Sequence, residues 1–133
     1  MILVDTNVLL DLVTDDPLWA EWSQQQLDLG SAQDQLAINE IVYAELSIGY
    51  TRMEQLDAMI RGAGLVSAAM PRPALFLAGK AFQRYRSAGG RKTGVLPDFF
   101  VGAHAVIADA ALITRDAARY RTYFPGIMLI APN

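Results

Sequence analysis

Four short apolar runs constrain this chain more than any other feature. Ile2-Leu3-Val4, Leu36-Ala37-Ile38, Leu112-Ile113-Thr114 and Ile127-Met128-Leu129-Ile130 are separated by stretches that carry helix start and stop signals. Within each run the apolar residues are nearly continuous and do not alternate with polar ones. A strand with one wet face alternates; a strand covered on both faces does not. The pattern predicts a parallel sheet between layers of helices, a three-layer α/β/α architecture. Leu65-Val66 is a candidate for one more strand.

The intervals read as helices. Val8 to Val13 predicts a short one. Asp16-Pro17 supplies a cap and a first residue for a helix over Leu18 to Leu29, stopped by Gly30. Asn39 predicts the cap of a helix reaching about Gly49. Further helices are expected over Arg52 to Arg61, Pro73 to Ser87, Asp98 to Ala111 and Ala117 to Tyr123. The helix from Asp98 is apolar on nearly every side and belongs in the core. Gly89 to Gly94 reads as a flexible basic loop. No repeat or linker interrupts the pattern. With 133 residues, 53% of them hydrophobic, one domain over 1–133 with a substantial core is expected.

Several function classes drop out. No apolar run approaches the ~20 residues of a membrane span. The N-terminus has no basic region ahead of its apolar run, and Asp5 interrupts it, which does not read as an export signal. The absence of cysteine excludes disulfides, thiolate metal sites and cysteine nucleophiles. A cytoplasmic protein is the default expectation.

The acidic residues carry the chemistry. In open parallel sheets, ligands bind at the carboxyl ends of the strands. Asp5 directly follows the first run, and Asp116 lies two residues beyond Ile113-Thr114. Asp98 stands at a predicted helix start, and Glu45 on the helix after the second strand. Taken singly, each aspartate reads equally well as a turn or cap residue. Glu45 reads equally well as solvent-facing, with Glu40 as its rival. Gathered together, the four carboxylates would repel, and a divalent cation would remove that cost. Oxygen-only ligation points to Mg²⁺ or Mn²⁺.

The matching reaction is phosphodiester hydrolysis. One ion activates water and polarises the phosphate, and a second, ~4 Å away, stabilises the leaving oxygen. Asp5, Asp98 and Asp116 are the expected metal ligands, with Asp5 shared. Glu45 is expected to bind metal or orient the nucleophile. Thr6, Asn7 and Thr114 are expected to fix carboxylate orientation. The net charge of -3, from 11 basic and 14 acidic residues, argues against a broad basic face. Phosphate contact then falls to a few cations: Arg91 and Lys92, whose loop leads into Asp98, and Arg115. Arg84 and Arg86 can equally decorate a helix. His104 is expected to be a packed structural histidine, Asp11 and Asp109 solvated surface residues, and Trp19 and Trp22 core.

At these residues the chain resembles a known family. The stretches are Leu3-Val4-Asp5-Thr6-Asn7-Val8-Leu9-Leu10-Asp11, then Glu40-Ile41-Val42-Tyr43-Ala44-Glu45-Leu46 with Gly49, then Leu96-Pro97-Asp98-Phe99-Phe100-Val101-Gly102-Ala103-His104-Ala105, then Leu112-Ile113-Thr114-Arg115-Asp116. In this order and spacing they resemble PIN-domain nucleases, most of all the VapC-type toxins of bacterial toxin–antitoxin pairs. The resemblance implies a Mg²⁺- or Mn²⁺-dependent endoribonuclease that dimerises and is inhibited by a cognate antitoxin protein. It places the family acids on Asp5, Glu45, Asp98 and Asp116, and it favours Glu45 over Glu40. Phe99-Phe100-Val101-Gly102 departs from the smaller residues that relatives often carry, which bears on packing.

Other functions fit less well. A haloacid-dehalogenase-type phosphatase wants a second aspartate where this chain has Asn7. A response-regulator receiver wants an acidic pair and a strand-end lysine, where this chain has Arg115-Asp116. A PIN nuclease of RNA processing, or a non-catalytic PIN-like scaffold that binds RNA, remain as alternatives within the fold.

Overall fold

A computed structural model describes all 133 residues. Its strands are β1 (Ile2–Val4), β2 (Leu36–Ile38), β3 (Leu65–Ser67), β4 (Ala111–Ile113) and β5 (Leu129–Ile130). Its helices are α1 (Thr6–Val13), α2 (Ala20–Gln33), α3 (Glu40–Ser47), α4 (Met53–Gly62), α5 (Arg72–Ser87), α6 (Pro97–Ile107) and α7 (Ala118–Tyr123). All strand pairs are parallel, in the order β3-β2-β1-β4-β5. Helices cover both faces of this sheet, which is the three-layer architecture expected from the apolar runs. Every residue of β1 and β2 is buried, so neither strand has a wet face to mark with polar residues. No helix is long and apolar enough to cross a membrane.

The strand order reverses at β1. From β1 the chain builds outward through β2 to β3, then returns to the other side of β1 for β4 and β5. The carboxyl ends of β1 and β4 therefore flank a switch point, where the connecting helices diverge and leave a crevice. Asp5 leaves β1 there with its N–H donated to the Ile113 carbonyl of β4 at 2.9 Å. Asp5 is also the N-cap of α1, so strand and helix join without a loop.

Element boundaries differ from the sequence reading in instructive places. Asp16 does cap a turn, its Oδ1 accepting the N–H groups of Leu18 and Trp19. Regular α2 begins only at Ala20, and it runs past Gly30 to Gln33. Gly30 does not stop the helix because it is buried against the sheet. A Cβ there would stand 3.2 Å from Leu36 Cδ2 and 3.3 Å from Ile113 Cδ1, so glycine lets α2 approach closely. Helix α6 ends at Ile107, and Asp109 takes a left-handed turn (φ 52°) before β4 begins at Ala111. The last strand is only Leu129–Ile130. Helix α6 lies in the core as expected, with Phe99 and the run from Val101 to Ala105 buried.

Candidate active site

Asp5 is the centre of the site. It is only 5% exposed, and no cation touches it. Its carboxylate is held by neutral donors. The Thr6 N–H donates to Oδ1 at 2.8 Å. Thr114 Oγ1 and the Tyr120 hydroxyl both donate to Oδ2, each at 2.8 Å. Burial pushes the Asp5 carboxyl above its ordinary range against the pull of these hydrogen bonds, and the Glu45 charge adds to the rise.

The other acids gather around it. Glu45, on α3, accepts the Thr6 hydroxyl on Oε1 at 2.6 Å, which ties it to the residue after Asp5. Glu40 faces elsewhere and accepts the Met70 N–H at 3.0 Å. Asp98 sits in the first turn of α6, half-exposed, with the Tyr120 hydroxyl 3.5 Å from Oδ1. Burial, and then the charge of Asp5, raise the Asp98 carboxyl; Arg119 lowers it and Asp116 raises it further. Asp116 is exposed, and its side chain accepts no hydrogen bond. Neither Asp98 nor Asp116 caps a helix, since the N-caps of α6 and α7 are Leu96 and Ala117. The structure thus places Glu45 and Asp98 beside Asp5, and Asp116 beside Asp98 in the same cleft.

The residues expected to orient these acids are in contact with them or with each other. Thr6 bridges to Glu45, and Thr114 to Asp5. Asn7 Nδ2 donates to Thr114 Oγ1 at 3.4 Å, and Asn7 Oδ1 accepts the Arg115 N–H at 3.2 Å. An open cleft of about 470 Å³ lies alongside, with Asp98, Asp116, Arg119, Tyr85 and Tyr123 in its lining.

Three expectations are corrected. Asp11 is not solvated: it is 2% exposed and accepts a bidentate pair of hydrogen bonds from Arg115, Nε to Oδ2 at 2.9 Å and Nη2 to Oδ1 at 3.0 Å. Ser23 Oγ donates to the same carboxylate at 2.9 Å. Arg115 is therefore not a free cation for phosphate; its guanidinium pairs with Asp11 and also lies 5.5 Å from the Trp19 ring centroid. Trp19 is half-buried outside the core, whereas Trp22, also half-buried, packs against it; the two rings meet edge to face at 6.1 Å. Arg91 and Lys92 are exposed between α5 and α6, and their side chains touch none of the four acids. His104 is buried as expected, with Nδ1 3.2 Å from Asn39 Nδ2, and burial lowers its pKa.

Two residues of the site went unrecognised in the sequence. Arg119 places Nη1 3.6 Å from Asp98 Oδ2. Tyr120 is buried, and the charges of Asp5 and Asp98 add to burial in pushing its hydroxyl far above its ordinary pKa, so it stays a donor. The available signal was their place on the short helix expected directly after Asp116.

The donor set suits a hard divalent cation: carboxylate oxygens, no soft ligands, and a buried central carboxylate without a counter-charge. The acids are neighbours but are not drawn onto one point, as no three of them stand at ligating spacing.

Comparison with known proteins agrees with this fold. The PIN domain family matches residues 2–125. No curated protein sequence matches the chain. Among solved structures, a chain of VapBC2 from Rickettsia felis, bound to a promoter DNA fragment, superposes with TM-score 0.76 at 21% identity, covering 100% of both chains. A chain of a toxin–antitoxin complex from Klebsiella pneumoniae gives 0.71 at 22% identity, covering 100% of this chain and 98% of that one. VapBC-1 from nontypeable Haemophilus influenzae gives 0.73 at 20%, covering 98% of each. At these identities the likeness is one of fold.

Proposed function

Because the chain belongs to the PIN-domain family, whose members are generally nucleases, we propose that it is a Mg²⁺- or Mn²⁺-dependent endoribonuclease and the toxin of a toxin–antitoxin pair. One observation carries the nuclease reading. Asp5 is a buried carboxylate at the sheet's switch point with three neutral donors, two acidic neighbours (Glu45 and Asp98) and no cation of its own. Burying a charge without a counter-charge is costly, and a site that does so is built for a partner that brings positive charge.

Asp5, Asp98 and Asp116 would hold the metal, which when bound polarises the phosphate and supplies a hydroxide nucleophile at neutral pH. The chain's own residues do the rest. Thr114 and Tyr120 fix the Asp5 carboxylate, and Thr6 holds Glu45 at the edge of the site, where it can orient the attacking water. Arg119 supplies the positive charge nearest Asp98 and lines the cleft through which a phosphodiester can enter. The toxin role and an antitoxin partner are supported by neighbours that are themselves described as VapBC or toxin–antitoxin complexes. A homodimer is part of the same reading.

The decisive experiment uses purified full-length protein and RNA. Cleavage with Mn²⁺ that stops with EDTA, and that is absent in Asp98→Asn, is the expected result. Cleavage indifferent to chelator would exclude the metal mechanism. The toxin role is tested by induction in cells: growth arrest, relieved by co-expressing a cognate antitoxin, is expected.

A further inference from the structure

We propose that Tyr120 is a positioning residue of the acidic site, its hydroxyl holding the Asp5 carboxylate so that one lone pair, on Oδ1, is left for a divalent cation. The proposal rests on the metal-dependent reading above. A carboxylate offers about four acceptor positions, two on each oxygen. Oδ2 is filled by Thr114 Oγ1 and the Tyr120 hydroxyl, both at 2.8 Å. Oδ1 takes the Thr6 N–H at 2.8 Å and keeps one position. Tyr120 has a single proton to donate, and the distances assign it to Asp5, since Asp98 Oδ1 is farther away at 3.5 Å. Without that hydroxyl, Oδ2 would have a vacant lone pair and less reason to keep its orientation.

The fold makes room for this contact specifically. Tyr120 reaches Asp5 from α7, across 115 positions of sequence, by passing over α6 at Gly102. A Cβ on residue 102 would stand 2.5 Å from the Phe124 ring and 3.1 Å from Tyr120 Cδ1. Only glycine leaves the notch in which these two rings seat. The same short helix also carries Arg119, which pairs with Asp98. Helix α7 thus follows Asp116 with one contact to each of two other acids.

A buried tyrosine generally needs a partner for its hydroxyl, so a merely structural hydrogen bond is the competing account. The protein contains an internal control. Tyr43 donates to Asp57 Oδ1 at the same 2.8 Å, between α3 and α4, with no contact to the four acids. Mn²⁺ binding to the full-length wild type, Tyr120→Phe and Tyr43→Phe, followed by the spin-resonance signal of free Mn²⁺, separates the accounts without reference to activity. Phenylalanine keeps the ring beneath Gly102. Weakening of Mn²⁺ affinity by about 10- to 100-fold is expected for Tyr120→Phe alone, as for other groups that orient a metal-binding carboxylate. Affinity unchanged or tightened in Tyr120→Phe, or equal weakening in Tyr43→Phe, would overturn the role of Tyr120 and leave the metal site standing. A wild type that binds no Mn²⁺ would overturn both.

Discussion

Asp5 and Asp11 occupy the two ends of α1, six residues apart, and both are buried. Their surroundings are opposite. Asp11 is closed by the guanidinium of Arg115 and the Ser23 hydroxyl, which leave a neutralised pair. Asp5 is closed by hydroxyls and a backbone N–H, which orient its charge without neutralising it. A bidentate arginine pair satisfies a carboxylate and removes it from chemistry. A carboxylate dressed only with neutral donors remains an anion looking for a cation. The same residue type, equally hidden, is a structural clasp at one end of the helix and a proposed metal ligand at the other.

The clasp also serves the site. Arg115 directly precedes Asp116, and its N–H is held by Asn7, beside Asp5. Locking Arg115 onto Asp11 anchors the β4–α7 connection from which Asp116 projects.

The comparison breaks most sharply in activity. Asp5→Asn and Asp98→Asn are expected to reduce RNA cleavage below detection while the folded state persists. Asp11→Asn is expected to keep measurable, metal-dependent cleavage. Cleavage assays beside circular dichroism decide it, and full activity in Asp5→Asn would remove the site assignment.

Stability should show the reverse order. Arg115→Ala leaves Asp11 buried and unpaired, a change that costs ~3–5 kcal/mol for fully buried pairs. Arg115 is about a third exposed, so the loss should lie at or below the lower end of that range. Arg115→Lys should recover only part, because it lacks the planar fork. Denaturant titration measures both, and a loss within ~0.5 kcal/mol, as for an ordinary surface substitution, would reduce the clasp to a surface contact.

Cation binding sharpens the contrast further. Chelator-stripped wild type should melt higher with Mn²⁺, by about 2.7 kcal/mol of stabilisation at a hundredfold excess over Kd. Asp11→Asn should gain as much, and Asp5→Asn almost nothing. A gain that survives in Asp5→Asn would locate the ion elsewhere.

The smallest expected effect is in pH. Asp5 and Asp98 have folded pKa values raised above the ordinary 3.8. The folded state therefore holds their protons more tightly than the unfolded chain does. Their contribution is complete below 3.8 and is lost as pH rises through the raised values. His104 acts in the opposite direction: its folded pKa is depressed below 6.5, so stability is lost as pH falls through that region. In stripped protein the acid-side slope should shrink in Asp98→Asn, where Asp5 still contributes, and the near-neutral slope should be lost in His104→Gln. Thermal melts between pH 4 and 7 test both, and an unaltered profile in either variant would contradict its assignment.

The apolar runs determined the parallel sheet, and the sheet put Asp5 and Asp116 near strand ends, because continuous burial and strand polarity are properties of local sequence. Asn39 as a cap and α6 as a core helix were legible for the same reason. Gly30 was misread because a glycine that ends a helix and one that lets a helix press on a sheet look identical without the sheet. Which aspartate is clasped, and which left without a cation, only the tertiary structure decided. Arg115 meets Asp11 across 104 positions, Tyr120 meets Asp5 across 115, and Thr6 meets Glu45 across 39. Periodicity reports the environment of a backbone segment. The donors that reach a given carboxylate are set by how distant segments pack, and that determines whether its charge is neutralised or remains for a metal.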